Sequence, residues 1–161
     1  MKKSLKFSDI YIAYLPLVVF FLNLLYGLLN IEGVGDTDSN YSLLFGIIAS
    51  VSISLYSFMY ILRNIYYYFE NKSLRRFINK LLPFFSKYNS LLLVLALVSS
   101  ILHILGIFIN TPILNTGYAV FFILLLVTKF TFFGSKNSNN SYILNVLSYL
   151  LLFALVIHYF I

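Results

Sequence analysis

Five stretches of this chain, 10–29, 42–62, 91–109, 118–133 and 142–161, run on with no Asp, Glu, Lys or Arg apart from Lys129. A helix needs about 20 apolar residues to cross the roughly 30 Å hydrocarbon core of a bilayer. Four of the runs come up to that length, and 118–133 falls short of it. In hydrocarbon the backbone has to satisfy its own hydrogen bonds, which leaves the α-helix as the fold of each run. The expected fold is therefore all-α: a polytopic integral membrane helical bundle of five transmembrane helices, forming a single transmembrane domain over 1–161. With 61% hydrophobic residues and 10% charged, the chain is well beyond the roughly 45–50% and 25% of soluble domains. The first run exceeds a secretory h-region, and the NIEGVGD that follows it lacks a small-x-small cleavage pattern, so it reads as a retained span.

Basic residues set the expected threading. Six of the eleven Lys and Arg, namely Arg63, Lys72, Arg75, Arg76, Lys80 and Lys87, lie between the second and third runs. Lys and Arg next to spans are held on the cytoplasmic side during insertion. A cytoplasmic N-terminus and an extracytoplasmic C-terminus put all eleven inside and leave Glu32, Asp36 and Asp38 outside. That is the pattern of a multi-pass protein of the cell (inner or plasma) membrane. Leu74, Phe77, Ile78, Leu81, Leu82 and Phe85 recur at helical spacing, with Arg75, Arg76, Asn79 and Lys80 on the other faces. This predicts an amphipathic interfacial helix over about 73–86, capped by Ser73 and ended or bent near Pro83, with its bases on anionic headgroups or against a cytoplasmic partner. The net charge of +6 belongs to these loops, so nucleic acid is not an expected partner. With 14 Tyr and no Trp, interfacial anchoring falls to Tyr and to snorkelling Lys and Arg.

Small and polar residues inside the runs are the candidates for contact or function. Gly46, Ser50, Ser54 and Ser57 share one face of the second run, and Ala96, Ser99, Ser100, His103 and Gly106 share one of the third. Lipid offers helices no hydrophobic drive to associate, so small residues that admit close backbone approach mark packing faces, or the walls of a polar path. His103 is the strongest single candidate, because an ionisable side chain within a span faces the bundle interior or a wet cavity. Asn23 and His158 fall in the same outer half as His103, beneath the loop with Glu32, Asp36 and Asp38. Together they define a candidate outer-half polar pocket.

Motifs for chemistry are missing from the chain. It has no Cys, no HExxH, no GxSxG and no Gly-rich loop after a strand, so no metal, cofactor or catalytic residue is expected. Phe7-Ser8-Asp9 resembles the tripeptide that opens a family of prokaryotic and lysosomal potassium channels; five expected spans against that family's six leave the chain outside it. The functional expectation is a small non-catalytic membrane protein that works through helix–helix contacts with other membrane components, as an accessory subunit or a toxin-immunity protein does, with a membrane-protein partner or a second copy of itself. Two alternatives stay open. One is an oligomeric channel or transporter subunit with a polar Ser/His face; the other is a lipid-modifying membrane enzyme.

Overall fold

The computed structural model describes residues 15–23, 25, 40–110, 116–135 and 137–160. Among these residues every regular element is a helix: α1 (15–23), α2 (Asn40–Tyr68), α3 (Lys72–Asn110), α4 (Gly117–Phe133) and α5 (Ser138–Phe160). α2, α3 and α5 are each long and apolar enough to cross a membrane. At 1.5 Å per residue the 17 residues of α4 extend only about 25 Å. The remainder of the first run, the Phe7-Ser8-Asp9 tripeptide and the acidic loop lie outside the described residues.

The three-residue link 69–71 turns α2 back onto α3. Arg75 Nε donates to the Phe69 carbonyl at 2.7 Å, which pins the turn to the first coil of α3. Asn71 caps α3: its Oδ1 accepts from the backbone N–H of Ser73 at 2.9 Å and of Leu74 at 3.3 Å. The expected cap at Ser73 is thus corrected to Asn71. Asn serves as well as Ser in this position, and the turn geometry delivers the earlier residue to the free N–H groups. Asn137 does the same for α5, accepting from Asn140 N–H at 2.9 Å.

A larger correction concerns 73–86. The expected interfacial helix and the third run are one continuous helix of 39 residues, about 58 Å long, with Pro83 inside it. Proline removes one intrahelical hydrogen bond. Pro83 and Asn79, whose carbonyl would have received that bond, are both exposed, while Leu82 and Phe85 on either side of the proline are packed inward. The amphipathic period is real, but its apolar face is spent on α2: Leu74, Ile78, Leu81 and Phe85 pack with Ile61, Leu62 and Ile65. Phe77 alone of that set remains largely exposed.

Helices α2 to α5 form a closed antiparallel ring in which α2 touches α3 and α5, and α4 touches the same two. Ile53, Tyr56, Leu93, Ala96, Leu124, Val127, Leu151 and Leu155 fill its centre. α1 lies outside the ring against α2 and α5. Phe20 stacks on Phe58 at 4.4 Å between ring centroids, and Asn23 Nδ2 donates to the Leu152 carbonyl at 3.4 Å. The ring has two distinct ends. The link 69–71, the end of α4 and the start of α5 lie at the basic end; the start of α2, the last described turns of α3, the start of α4 and the end of α5 meet at the opposite one, the histidine end.

Candidate functional site

At the histidine end the small residues of α2 and α3 allow the two backbones to close on each other. A Cβ placed on Gly46 would stand 2.8 Å from His103 Nδ1 and Cε1, and one on Gly106 would stand 2.8 Å from Ser42 Cβ. Glycine is required at both positions for this approach. The same proximity builds a reciprocal clamp. His103 Nδ1 lies 2.6 Å from the Ser42 carbonyl, and Ser42 Oγ donates to the His103 carbonyl at 3.0 Å. A carbonyl oxygen can only accept, so His103 carries its proton on Nδ1. In the neutral ring Nε2 is then a lone-pair acceptor.

His158 approaches from α5. Its Nδ1 is 3.0 Å from Thr116 Oγ1, and its ring centroid is 6.5 Å from that of His103 at 76°. Thr116 occupies the N-cap position of α4, yet its hydroxyl makes no capping bond. The side chain that would ordinarily start the helix holds the histidine instead.

Between the two imidazoles lies a cavity of about 230 Å³. Ser50, Ser100, Tyr118, Tyr159 and the two histidines are the polar side chains around it, and Ile47, Ile53, Val120, Phe121 and Leu155 make much of its apolar wall. Ser50 already donates back to the Gly46 carbonyl at 2.8 Å, so its hydroxyl proton is engaged within its own helix. No Asp, Glu, Lys or Arg lines the cavity among the described residues. Nor do three His, Cys, Asp or Glu side chains stand together anywhere among those residues as a metal site would require.

Measured against the sequence, the structure groups some candidates and scatters others. Gly46, Ser50, Ser100 and His103 border the cavity together with His158. Ser54, Ser57, Ala96 and Ser99 are buried without lining it, and the Oγ atoms of Ser54 and Ser57 have no partner among the described residues. Asn23 does not belong to the pocket. α1 packs outside the ring, so the Asn23 amide reaches α5 from the far side. Glu32, Asp36 and Asp38 lie outside the described residues. At the basic end Arg63, Lys72, Arg76, Lys80 and Lys87 are exposed, with Arg63 over the Tyr60 ring and Lys87 over Tyr88. Arg75 is partly buried, held by the Phe69 carbonyl and lying 5.3 Å over the Tyr66 ring.

A second polar cluster, which the sequence reading passed over, fills the bundle toward the basic end. Tyr56 OH meets Thr131 Oγ1 at 3.0 Å and Tyr60 OH at 3.2 Å, while the Asn64 amide donates to Asn145 Oδ1 at 3.2 Å and to the Tyr149 hydroxyl. The available signal was the spacing of Tyr56, Tyr60 and Asn64 at i, i+4 and i+8, matched by Asn145 and Tyr149 at i and i+4 on the fifth run. Between this cluster and the cavity, Ile53, Leu124, Leu151 and Leu155 make an apolar layer, each at most 2% exposed. Compared with known protein families, with curated proteins and with solved structures, the chain matches none.

Proposed function

We propose that this chain is a non-catalytic integral protein of the cell membrane, threaded five times with its N-terminus cytoplasmic and its C-terminus outside, that acts through contacts with other membrane components. An accessory subunit and an immunity protein directed at a membrane-active toxin are two forms of that role. Three described helices of spanning length support the membrane assignment, and the clustering of bases at one end supports the orientation. In this threading α1 completes the first crossing, α4 makes a short fourth one, and the basic end faces the cytoplasm. The exposed Arg63, Lys72, Arg76, Lys80 and Lys87 then meet anionic headgroups, each contributing roughly 1 kcal/mol near the surface. The start of α3 stands as a cytoplasmic extension of the α2–α3 hairpin, its polar face toward headgroups.

The observation that carries the reading is the apolar layer of Ile53, Leu124, Leu151 and Leu155. It stands between the cavity and the tyrosine cluster, with the buried serines Ser54, Ser57 and Ser99 of the α2–α3 contact beside it, and supports contact over conduction for a single copy. The small-residue faces that could have lined a polar path meet within the chain. What the protein presents outward is apolar helix surface, such as the stripe of Leu91, Val94, Val98, Ile101 and Leu105 on α3. Contact is the capacity this leaves.

Because the chain has no cysteine, single introduced cysteines report topology and flux assays report conduction on the same purified protein. Lys80→Cys should react with an impermeant thiol reagent only after cells are opened, and Asp36→Cys in intact cells. Liposomes carrying the protein should hold ion and small-solute gradients as well as empty ones. Dissipation of a gradient by the wild type, abolished in His103→Leu, would replace this reading with the channel.

A further inference from the structure

The cavity at the histidine end is larger and better equipped than helix packing requires. A cavity of about 150 Å³ with apolar walls stays dry and takes up benzene. Scaled from that case, the 230 Å³ found here accommodates a guest on the order of nine non-hydrogen atoms. The polar groups sit beside a mostly aliphatic wall. Water needs two to four polar partners to be held, which the side with the histidines, serines and tyrosines can supply and the side formed by Ile47, Ile53, Val120 and Leu155 cannot, so that second side suits an apolar body. An ion would be poorly received, since no charged side chain among the described residues lines the space and an uncompensated charge in such a place is costly.

The His103 ring determines which polar group a guest should carry. Its Nδ1 proton is committed to the Ser42 carbonyl at 2.6 Å, and the return bond from Ser42 Oγ to the His103 carbonyl fixes the helix carrying the ring. The ring is therefore oriented and its tautomer set. Nε2 is left as an acceptor, and no hydrogen bond reaches it among the described residues. On the opposite side His158 is oriented by Thr116, a hydroxyl diverted from its capping position. Two independent anchors, each holding an imidazole by Nδ1 at the edge of one cavity, are more than a packing defect would carry.

We propose that this cavity is a binding site for a small uncharged hydroxylated molecule, an alcohol or phenol whose O–H donates to His103 Nε2 while its apolar body lies against Ile47, Val120 and Leu155. His158 then serves as a second hydrogen-bonding partner for a guest with two polar groups. The site stands independently of the contact role proposed above, and its failure would leave that role untouched.

The full chain in lipid nanodiscs tests this with p-cresol against 4-methylanisole, two probes of similar body of which only the first can donate a hydrogen bond. Thermal stability is read at equal mole fraction of probe in the lipid. For the wild type, p-cresol should give a saturable rise in Tm at a concentration at least tenfold lower than 4-methylanisole. His103→Phe should shrink that preference to less than twofold. Ala49→Leu, which enlarges a side chain of the cavity wall and retains both imidazoles, should lose the saturable response to both probes. The proposal is overturned if the wild type responds to neither probe, which would mean a space filled by water alone. It is also overturned if the preference for p-cresol survives in His103→Phe, or if Ala49→Leu binds as the wild type does.

Discussion

The two polar clusters inside this bundle handle the same problem in opposite ways. Toward the basic end, Tyr56, Tyr60 and Thr131 bond one another across α2 and α4, and Asn64 bonds Asn145 and Tyr149 across α2 and α5. Side chain meets side chain, and the space between them is filled. At the histidine end each imidazole is held through one nitrogen, His103 by a backbone carbonyl and His158 by Thr116, with the cavity between the rings. In a medium without water, polar groups on facing helices act as glue when they close on each other. Groups anchored on one side only keep capacity for something else. The first cluster is thus architecture, and the second is where the bundle has room for a guest.

The sharpest way to break this contrast is to add the same volume at both ends. Ser148 is fully buried next to the tyrosine cluster, where it donates to the Leu144 carbonyl at 2.7 Å, and it does not border the cavity. Ser148→Leu should cost about 1–3 kcal/mol, the usual penalty for overpacking. Ala49 is nearly as buried but faces the cavity. Ala49→Leu should cost less, under about 1 kcal/mol, because its added atoms enter open space and not a packed contact. Reversible denaturation in detergent compares the two directly, and equal losses would mean that the cavity is no softer than the packed end.

Close approach at the histidine end gives the next effect. A methyl on Gly46 meets the His103 ring at 2.8 Å, which a real Cβ does not sustain, so the ring must leave Ser42 or the helices must part. Gly46→Ala should destabilise by about 1–2 kcal/mol, in the range of small-to-large changes at tight contacts. Combining it with His103→Ala should recover most of the loss, because the atoms that collide are then gone. A double variant as unstable as the sum of the two singles would show that α2 and α3 need the glycine for a reason other than this ring.

Much of the helical layout could be read from the runs of apolar residues, since the length needed to cross a bilayer and the demand for internal hydrogen bonding leave few alternatives. Pro83 and Ser73 misled for a common reason. Both are local signals, and the helix end expected near Pro83 is overridden by Leu82 and Phe85 packing onto α2, a contact between residues far apart in sequence. His103 was conspicuous because an imidazole stands out in an apolar run, and Gly46 and Gly106 because small residues at helical spacing do. The Asn64–Asn145 pair was not conspicuous. Neither residue is unusual alone, and only the tertiary fold brings α2 against α5 at that height. Tyrosines 56 and 60 were hidden by the expectation that tyrosine in such a chain belongs at the membrane surface. Asn23 was assigned to the pocket by depth, which ignores on which side of the ring α1 would pack.

A smaller effect follows from removing the glue itself. Asn64→Leu takes away the donor shared by Asn145 and Tyr149. Interhelical hydrogen bonds in membrane bundles average about 0.6 kcal/mol and reach about 1.7. The variant should fall toward the upper value, because it orphans two acceptors in one step. A loss near zero would mean that Asn145 and Tyr149 find other partners, and the cluster would lose its standing as architecture.

The finest discrimination comes from double-mutant cycles run in parallel at the two ends. Asn64 and Asn145 touch, so Asn64→Leu and Asn145→Leu should be non-additive by about 0.6 kcal/mol. His103 and His158 have ring centroids 6.5 Å apart, and no hydrogen bond joins the two imidazoles among the described residues. Because the two rings border one cavity, His103→Phe and His158→Phe should be non-additive by about 0.5 kcal/mol or more. Saturating p-cresol should leave the first cycle unchanged. If the guest bonds both rings it should enlarge the coupling in the second, because one molecule then holds them together. A coupling between the histidines that saturating p-cresol leaves unchanged would mean that no guest joins them, and the histidine end would be a second piece of architecture.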